Sequence, residues 1–209
     1  MSSESVERRM ILTPRQITIA GIFGGLAMIC TGLGLALPGY LPLVNFELQG
    51  TFITIATMAA GPIAGMIVSI LAALVSAVGI ISAPFYWPHI FVLAALYPYV
   101  YNIKNKALQF VMFWILTAFA LFIQYWGWWW LYAAVFALMT VEAMFWYNML
   151  GGAYIIYLLI WGLIPSIVLV TTPKFVRPDW KAPGIKWIAL ISAIIVIALG
   201  LAWWGKVGW

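Results

Sequence analysis

The chain has 209 residues, of which 66% are hydrophobic and only 7% are charged, and its formal net charge is +5. A soluble domain is about half apolar and about a quarter charged, so this composition excludes a soluble enzyme, a disordered chain and a nucleic-acid-binding protein. Lipid requires every backbone polar group to be bonded within the protein, and the apolar runs here are continuous rather than alternating. We therefore expect an all-α integral membrane protein.

The single cysteine, Cys30, lies inside an apolar run, so we expect neither an internal disulfide nor a cysteine metal cluster. Residues 1–10 are polar and charged and contain no short apolar run that ends in a small-residue cleavage site. We expect no cleavable signal peptide, and we interpret residues 1–16 as a cytoplasmic amino-terminal segment.

Long uncharged stretches predict the membrane helices, because a span needs about 20 apolar residues. The dipeptide Gly61-Pro62 separates two of these helices, since Gly-Pro breaks a helix and proline is well placed to begin the next one. The alternative is one kinked helix over 51–82. In chain order the predicted helices are 17–37, 45–61, 62–82, 88–103, 107–126, 152–171 and 185–204.

Basic residues predict the orientation, because Lys and Arg are enriched on the cytoplasmic side of a membrane. With the amino end and Arg15 in the cytoplasm, two separate helices place Lys104 and Lys106 there as well. A single 51–82 helix would place both lysines outside. We therefore favour two helices, in the cell (plasma) membrane, with a cytoplasmic amino terminus.

Segment 128–147 is a second ambiguity. Its apolar core is only about 15 residues long and contains Glu142, which suits a re-entrant or interfacial segment better than a span. If the segment does not cross, the basic cluster at 174–186 is cytoplasmic; if it crosses, that cluster is outside. The charge rule favours the segment that does not cross.

Polar and aromatic residues collect at the predicted outer ends of the helices. An acid within an apolar segment is costly and usually serves a pathway, a partner or a ligand, so Glu47 and Glu142 are the strongest candidates. Interfacial tryptophans, and a capping or interfacial role for His89, explain part of the pattern without any ligand. We predict an outward-facing pocket with aromatic walls, formed by Asn45, Glu47, Gln49, Trp87, His89, Glu142, Trp146 and Asn148.

The first predicted helix carries two neighbouring stripes of small residues, more than one intramolecular neighbour needs. Such faces let another helix approach closely, because packing drives helix association in lipid. A similar stripe on 62–82 is interpreted as internal packing. We predict a partner-docking face on the first helix, formed by Ala20, Gly21, Gly24, Gly25 and Ala27.

Three stretches carry a resemblance to a known family: Ala20-Gly-Ile-Phe-Gly-Gly-Leu-Ala27, Phe46-Glu-Leu-Gln-Gly-Thr-Phe52 and Ala60-Gly-Pro-Ile-Ala-Gly65. Together with Glu142-Ala143 and Trp161-Gly-Leu-Ile-Pro-Ser166, they resemble the substrate-binding S component of energy-coupling factor (ECF) vitamin transporters over residues 15–172. The chain departs from that family in having glycine at position 24 of the AxxxA-type motif, a high tryptophan content and an extra helix, 185–204.

The resemblance implies a six-helix S-component-like bundle in residues 17–172. A basic cytoplasmic loop and one additional C-terminal transmembrane helix then occupy residues 173–209. Such a subunit captures a vitamin or similar small molecule from outside, and it docks through its first helix onto a transmembrane coupling subunit driven by two cytoplasmic ATPases. It hydrolyses nothing itself, and this sequence has no GxxxxGK[ST] phosphate-binding run. We expect no catalytic residues, no metal and no cofactor.

The substrate is not specified by the sequence, although aromatic walls suit a flat heterocycle and two acids suit a cationic one. The alternative function is a cofactor-free structural subunit of a multi-subunit, respiratory-type membrane complex. One histidine cannot supply bis-histidine haem ligation, and one cysteine cannot hold an iron–sulfur cluster. A membrane enzyme and an ion-coupled transporter are less favoured, since neither catalytic spacing nor an internal repeat is present.

The predicted orientation can be checked with engineered cysteines at positions 105 and 180 in a Cys30→Ser background. We expect both sites to react only from the cytoplasmic side, because this orientation places nine of the 10 basic residues inside. Reaction of either site with a membrane-impermeant reagent added outside would contradict the orientation.

Overall fold

The computed structural model describes residues 12–34, 36–38, 45–76, 79–131 and 157–204. Within these ranges every regular element is a helix except for one short two-stranded ribbon, which confirms the predicted helical class. The elements are, in chain order, α1 (Pro14–Gly32), β1 (Ala36–Pro38), β2 (Asn45–Glu47), α2 (Gln49–Ala60), α3 (Pro62–Leu74), a 3-10 helix (Gly79–Tyr86), α4 (Trp87–Tyr101), α5 (Lys106–Leu131), a π-helix (Leu159–Leu163), α6 (Ile164–Thr171) and α7 (Ile185–Trp204).

Capping chemistry sets the start of α1. The Thr13 hydroxyl accepts a hydrogen bond from the Gln16 backbone amide, the Gln16 side chain bonds back to the Thr13 amide, and Pro14 occupies the first turn. This reciprocal box satisfies two of the unpaired donors at a helix start. The helix therefore begins at Pro14 rather than at 17, and it ends at Gly32 rather than at 37, before Gly34 adopts a φ of +60°.

The predicted start of the second helix is wrong. Asn45 and Glu47 lie in β2, which pairs antiparallel with β1 so that Ala36 is opposite Glu47. Helix α2 begins only at Gln49. The predicted helix 62–82 is also too long, since α3 ends at Leu74 and a 3-10 helix follows from Gly79.

The division at Gly61-Pro62 is confirmed, and the single kinked helix over 51–82 is wrong. Gly61 ends α2 with a φ of +89°, a conformation that favours glycine, and Pro62 begins α3. The Trp180 indole covers this turn so closely that a Cβ at Gly61 would lie 2.9 Å from the ring. Its Nε1 atom also donates a hydrogen bond to the Met58 carbonyl at 3.2 Å.

Helix α2 lies at the centre of the bundle. Of its 12 residues, all except Phe52 are buried. Helices α1, α3 and α4 and the segment from the π-helix into α6 pack around it. Helix α7 packs at the periphery against α4 and α5 and exposes a long apolar face that includes Trp187, Ile191 and Leu201.

Contacts between helix ends show how the helices alternate in direction. At one end, Arg15 of α1 pairs with Asp179 at 2.6 Å, Gln16 donates to the Ala60 carbonyl, and Tyr97 of α4 donates to the Val176 carbonyl. We call this the basic end, formed by residues 12–16, 60–62, 97–106 and 172–186. The opposite end, called the site end, is formed by residues 31–34, 48–51, 79–89, 121–131 and 157–161.

By length and composition, two stretches of the described chain could cross a membrane: Pro14–Gly32 and Lys106–Tyr125. Three other apolar stretches, Pro62–Leu74, Leu159–Thr171 and Ile185–Ala198, are shorter than a typical span of about 20 residues. The membrane character expected from composition is thus supported by two helices, and crossing by the others stays a prediction.

The space around Gly50 of α2 and Gly21 of α1 differs, and this difference predicts opposite effects on stability for the two Gly→Ala substitutions. A Cβ at Gly50 would lie 2.0 Å from the Trp161 indole, whereas nothing lies within 4 Å of a Cβ at Gly21. We expect Gly50→Ala to lower the free energy of unfolding by about 1–3 kcal/mol through overpacking. Gly21→Ala should raise it by about 0.5–1 kcal/mol through its better helix propensity. Thermal unfolding in mild detergent measures both, and equal midpoints would contradict the packing.

Candidate functional site

Buried polar and aromatic side chains form one continuous group at the site end, which we call the polar layer. They come from α2, the 3-10 helix, α4, α5 and the residues leading into and forming the π-helix. Except for the half-buried Tyr157, every member is less than 9% exposed. The polar layer consists of Gln49, Thr54, Tyr86, His89, Gln124, Tyr125, Tyr157 and Trp161.

Gln49 joins three elements of the site end. Its side-chain amide lies in hydrogen-bond contact with the hydroxyl groups of Thr31, at the end of α1, and Tyr86, at the end of the 3-10 helix. Gln49 is only 4% exposed, so these bonds replace its lost contacts with water. The amide therefore fixes the position of the Tyr86 ring relative to α2.

Thr54 holds one ring nitrogen of His89. The Thr54 hydroxyl lies 2.8 Å from the Gly50 carbonyl and 3.0 Å from His89 Nε2. The hydroxyl either donates to Gly50 and accepts from Nε2–H or donates to Nε2, since the roles of the two ring nitrogens depend on the tautomer. In both arrangements the imidazole is fixed against α2.

Pro165 accounts for the irregular backbone that positions Trp161. Proline has no amide proton and its ring clashes with the carbonyl four residues earlier, here that of Trp161. The chain forms a π-helix over Leu159–Leu163 at this point, and single-turn π segments are frequent at functional sites. The Thr51 hydroxyl binds the Ile160 carbonyl at 3.1 Å, which ties the π-helix to α2.

Aromatic rings form one wall of the polar layer around Trp161. Its ring centroid lies 4.8 Å from that of Tyr157, 6.0 Å from that of Tyr86 and 6.4 Å from the imidazole of His89. Tyr157 in turn contacts Tyr125 of α5 at 5.4 Å. Tilted and edge-on ring pairs at such distances stabilise each other beyond their burial alone.

In the part of the chain that the structure describes, three buried side-chain nitrogen or oxygen atoms have no hydrogen-bond partner: Trp87 Nε1, His89 Nδ1 and Gln124 Oε1. The Ala120 carbonyl interacts with the imidazole of His89, and Gln124 follows Ala120 by one turn of α5. Two polar atoms of the polar layer, His89 Nδ1 and Gln124 Oε1, are thus without a geometric hydrogen bond among the described residues. An unsatisfied buried acceptor such as the Gln124 oxygen costs about 1–3 kcal/mol.

The structure brings together only some of the residues that the sequence singles out. Gln49 and His89 are both members of the polar layer, and His89 is 1% exposed, so it is neither an interfacial nor an exposed capping residue. Trp87 begins α4 with His89, but two residues in a helix are about 200° apart, so their side chains leave in different directions.

Five other sequence-predicted residues cannot be assigned a side-chain position. Asn45 and Glu47 lie in β2, directly before Gln49, and only their backbone is described. Glu142, Trp146 and Asn148 lie outside the described residues. Tyr125 of α5 and Tyr157, before the π-helix, are in ring contact at the site end, and the interpretation of 128–147 as a segment that does not cross stays a prediction.

The small residues of α1 divide into two groups. Ala20, Gly24 and Ala27 are buried inside the chain, and a Cβ at Gly24 would lie 2.3 Å from Leu71 of α3. Nothing lies within 4 Å of a Cβ at Gly21 or Gly25. The predicted docking face is therefore reduced to Gly21 and Gly25, because the neighbouring stripe is already covered by α2 and α3.

Sequence analysis did not identify Thr54, Gln124 or Trp161 as site residues. Gln124 was noticeable as a polar residue at the end of an apolar run, and Pro165 signalled a disturbed helix one turn after Trp161. Among the described residues, no three His, Cys, Asp or Glu side chains lie together as metal ligands would.

Comparison with protein-family models, with curated proteins and with solved structures finds no match for this chain. The resemblance to S components therefore rests on the short motifs alone.

Two Gln→Leu variants test whether Gln124 is unsatisfied. We expect Gln124→Leu to raise the free energy of unfolding of the ligand-free protein by about 1–3 kcal/mol, because it removes a buried acceptor that has no donor. Gln109 is equally buried, but it donates to the Tyr101 carbonyl and accepts from Lys106. Gln109→Leu should therefore destabilise the protein. Destabilisation by both variants in thermal unfolding would show that Gln124 has a partner.

Proposed function

We propose that the chain is a membrane-embedded substrate-binding subunit of an ECF-type uptake transporter that captures a small molecule from outside. One observation carries this proposal: two buried polar atoms of the polar layer, His89 Nδ1 and Gln124 Oε1, lie without a hydrogen-bond partner in the described chain, and His89 contacts the Trp161 ring. Unsatisfied buried groups are rare in folded proteins, and a ligand that supplies the missing partners explains why they persist. The polar layer has the composition of a small-molecule site, with apolar walls and few orienting polar groups.

The chemistry of the polar layer indicates the class of substrate. The unpartnered Gln124 oxygen requires a ligand that presents an N–H or O–H group, and the Trp161 and Tyr86 rings suit a flat ring system. A nitrogen heterocycle that carries ring N–H or amino groups meets both requirements. Glu47 and Glu142 are proposed to lie near the same pocket, and they would favour a cationic member of this class.

The proposed pocket includes three residues that the sequence singles out between α5 and the π-helix. Tyr125 of α5 and Tyr157, before the π-helix, are in ring contact, and both belong to the polar layer. We propose that Glu142, Trp146 and Asn148, from the segment between them, complete the pocket.

We propose that the basic end faces the cytoplasm. It carries Arg15 together with the lysines and arginine of 104–106 and 174–186, and such residues are enriched on the cytoplasmic side. The site end, with the polar layer, would then face outward, as capture from outside requires. In this arrangement all seven helices are proposed to cross, with the bilayer adapting to the short helices α2, α3 and α6.

The remaining open stripe on α1 is the proposed surface for the coupling subunit. Gly21 and Gly25 expose backbone to approach, flanked by the exposed side chains of Ile22 and Ile29. A transmembrane helix could pack closely there, because small residues allow short interhelical distances. Two cytoplasmic ATPases would then drive the coupling subunit.

A structural subunit of a larger membrane complex is the second candidate function. The apolar outer face of α7 favours it, since Trp187 is 69% and Leu201 63% exposed within the described chain. Such a face suits another membrane protein as well as it suits lipid. A structural subunit, however, gives no reason for the two polar atoms without partners, His89 Nδ1 and Gln124 Oε1, inside the described bundle.

Native mass spectrometry of the gently purified wild-type protein tests the function directly. We expect a small-molecule adduct of one per chain, together with coupling and ATPase subunits in part of the sample. Once the adduct is identified, its affinity should fall roughly two- to tenfold in Gln124→Leu through the loss of one hydrogen bond. For a cationic adduct, Glu47→Gln should reduce affinity roughly ten- to a hundredfold.

Gln109→Leu is the matched control, because it changes an equally buried amide near the basic end and should leave affinity unchanged. A spectrum with partner subunits but no small-molecule adduct would contradict substrate capture and favour the structural subunit. Equal losses of affinity in Gln124→Leu and Gln109→Leu would place the ligand away from the polar layer.

A further inference from the structure

A groove at the basic end lies outside the proposed substrate site, and we propose that it binds one anionic phospholipid. The groove has a volume of about 650 Å³ and is bounded by the start of α1, by α3 and α4, and by the loop that leads into α7. It is called the interfacial groove below. The proposal rests on the membrane orientation proposed above but not on substrate capture, because the groove lies at the opposite end from the polar layer.

The mouth of the interfacial groove carries an excess of one positive charge. Arg15, Asp179 and Lys181 all line it. Arg15 is already engaged, since its guanidinium pairs with Asp179 and also donates to the Phe175 carbonyl at 2.7 Å. Within the described part of the chain this is the only ion pair, so Lys181 has no carboxylate partner. A headgroup with a single negative charge matches this excess.

The wall of the interfacial groove is apolar. Ile63 and Met66 of α3, Phe91 of α4 and Ile188 of α7 extend it away from the charged mouth. The side chains of Ile63 and Ile188 are 42% and 44% exposed, so the described chain leaves this part of the wall uncovered. A surface that joins a cationic mouth to an apolar wall suits an amphiphile with an anionic head and a hydrocarbon chain.

Both the apolar wall of the groove and its position favour a lipid over a soluble anion. A free phosphate would use only Lys181 and Arg15 and would leave the isoleucine wall uncovered. In the proposed orientation the mouth lies at the cytoplasmic headgroup level, where anionic lipids are abundant and basic pockets between helices bind their headgroups. The Trp180 indole at the mouth is also typical of this depth.

The bound lipid would have a structural consequence for α7. The main packing partners of α7 are α4 and α5. Its first turn also borders the interfacial groove. A chain lying between Ile63 and Ile188 would connect α7 to α3, two helices that otherwise face each other across the groove. The lipid would thus fill the gap between the additional helix and the rest of the bundle.

Native mass spectrometry of the full-length chain, delipidated in mild detergent and titrated with dioleoyl phosphatidylglycerol or dioleoyl phosphatidylcholine, tests the proposal. We expect one phosphatidylglycerol to be retained in preference to phosphatidylcholine. Lys181→Ala should weaken this retention about fivefold, the effect of one basic residue near a headgroup. Lys104→Ala removes the same charge at the same end without lining the groove, and it should have no effect.

A second pair of variants tests the apolar wall. Ile188→Trp should fill the groove and abolish selective retention, while Ile191→Trp, on the exposed face of the same helix and outside the groove, should leave it unchanged. Thermal unfolding of each variant verifies that it is folded. Equal retention of both lipids, or equal effects of the two lysine variants, would overturn the proposal. Displacement of phosphatidylglycerol by millimolar inorganic phosphate would show a simple anion site and would also overturn it.

Discussion

The rest of the structure depends on the burial of α2, whose polar side chains all find partners inside the bundle. Thr54 and Thr57 bind carbonyls of their own helix, Thr51 binds Ile160, and the Gln49 amide bridges two hydroxyls. An unbonded polar group at this depth would cost about 1–3 kcal/mol. The bonds of Gln49 and Thr51 reach α1, the 3-10 helix and the π-helix, so they fix the positions of these elements around α2. The bonds of Thr54 and Thr57 to their own helix leave no polar group unpaired on the surfaces that pack.

Irregular backbone is concentrated where α2 meets the polar layer. Pro165 disturbs the helix that precedes it, and Trp161 then packs so closely against Gly50 that only glycine fits there. The bulky indole in turn contacts Tyr86, Tyr157 and His89. A local defect in one helix and a missing side chain in another therefore combine to build the aromatic wall. The indole of Trp161 is placed by the π-helix and has room against α2 because residue 50 is a glycine.

The two ends of the bundle differ in whether their buried polar groups are satisfied. The basic end combines the Trp180 indole over Gly61, the Tyr97–Val176 hydrogen bond and one exposed ion pair, whose members are 39% and 54% exposed. An ion pair of this kind contributes about 0–1 kcal/mol, so packing and hydrogen bonds of the loop matter more than its charge. The site end also relies on buried hydrogen bonds, but two of its polar atoms, His89 Nδ1 and Gln124 Oε1, have no partner within the described ranges. Helix α4 connects the ends, with His89 at one and Tyr97 at the other.

The sequence by itself determined the helical class, the division of α2 from α3 and the grouping of basic residues, because composition, proline and glycine act locally. It also singled out Gln49 and His89, which the structure places in the polar layer. Only the tertiary structure decided their surroundings: Thr51 meets Ile160 across 109 residues, and strand β2 exists only through pairing with β1. Likewise, Gly24 is covered and Gly21 open because α3 lies on one side of α1. Periodicity along one helix does not specify which face a distant helix will cover, so these contacts could not be predicted.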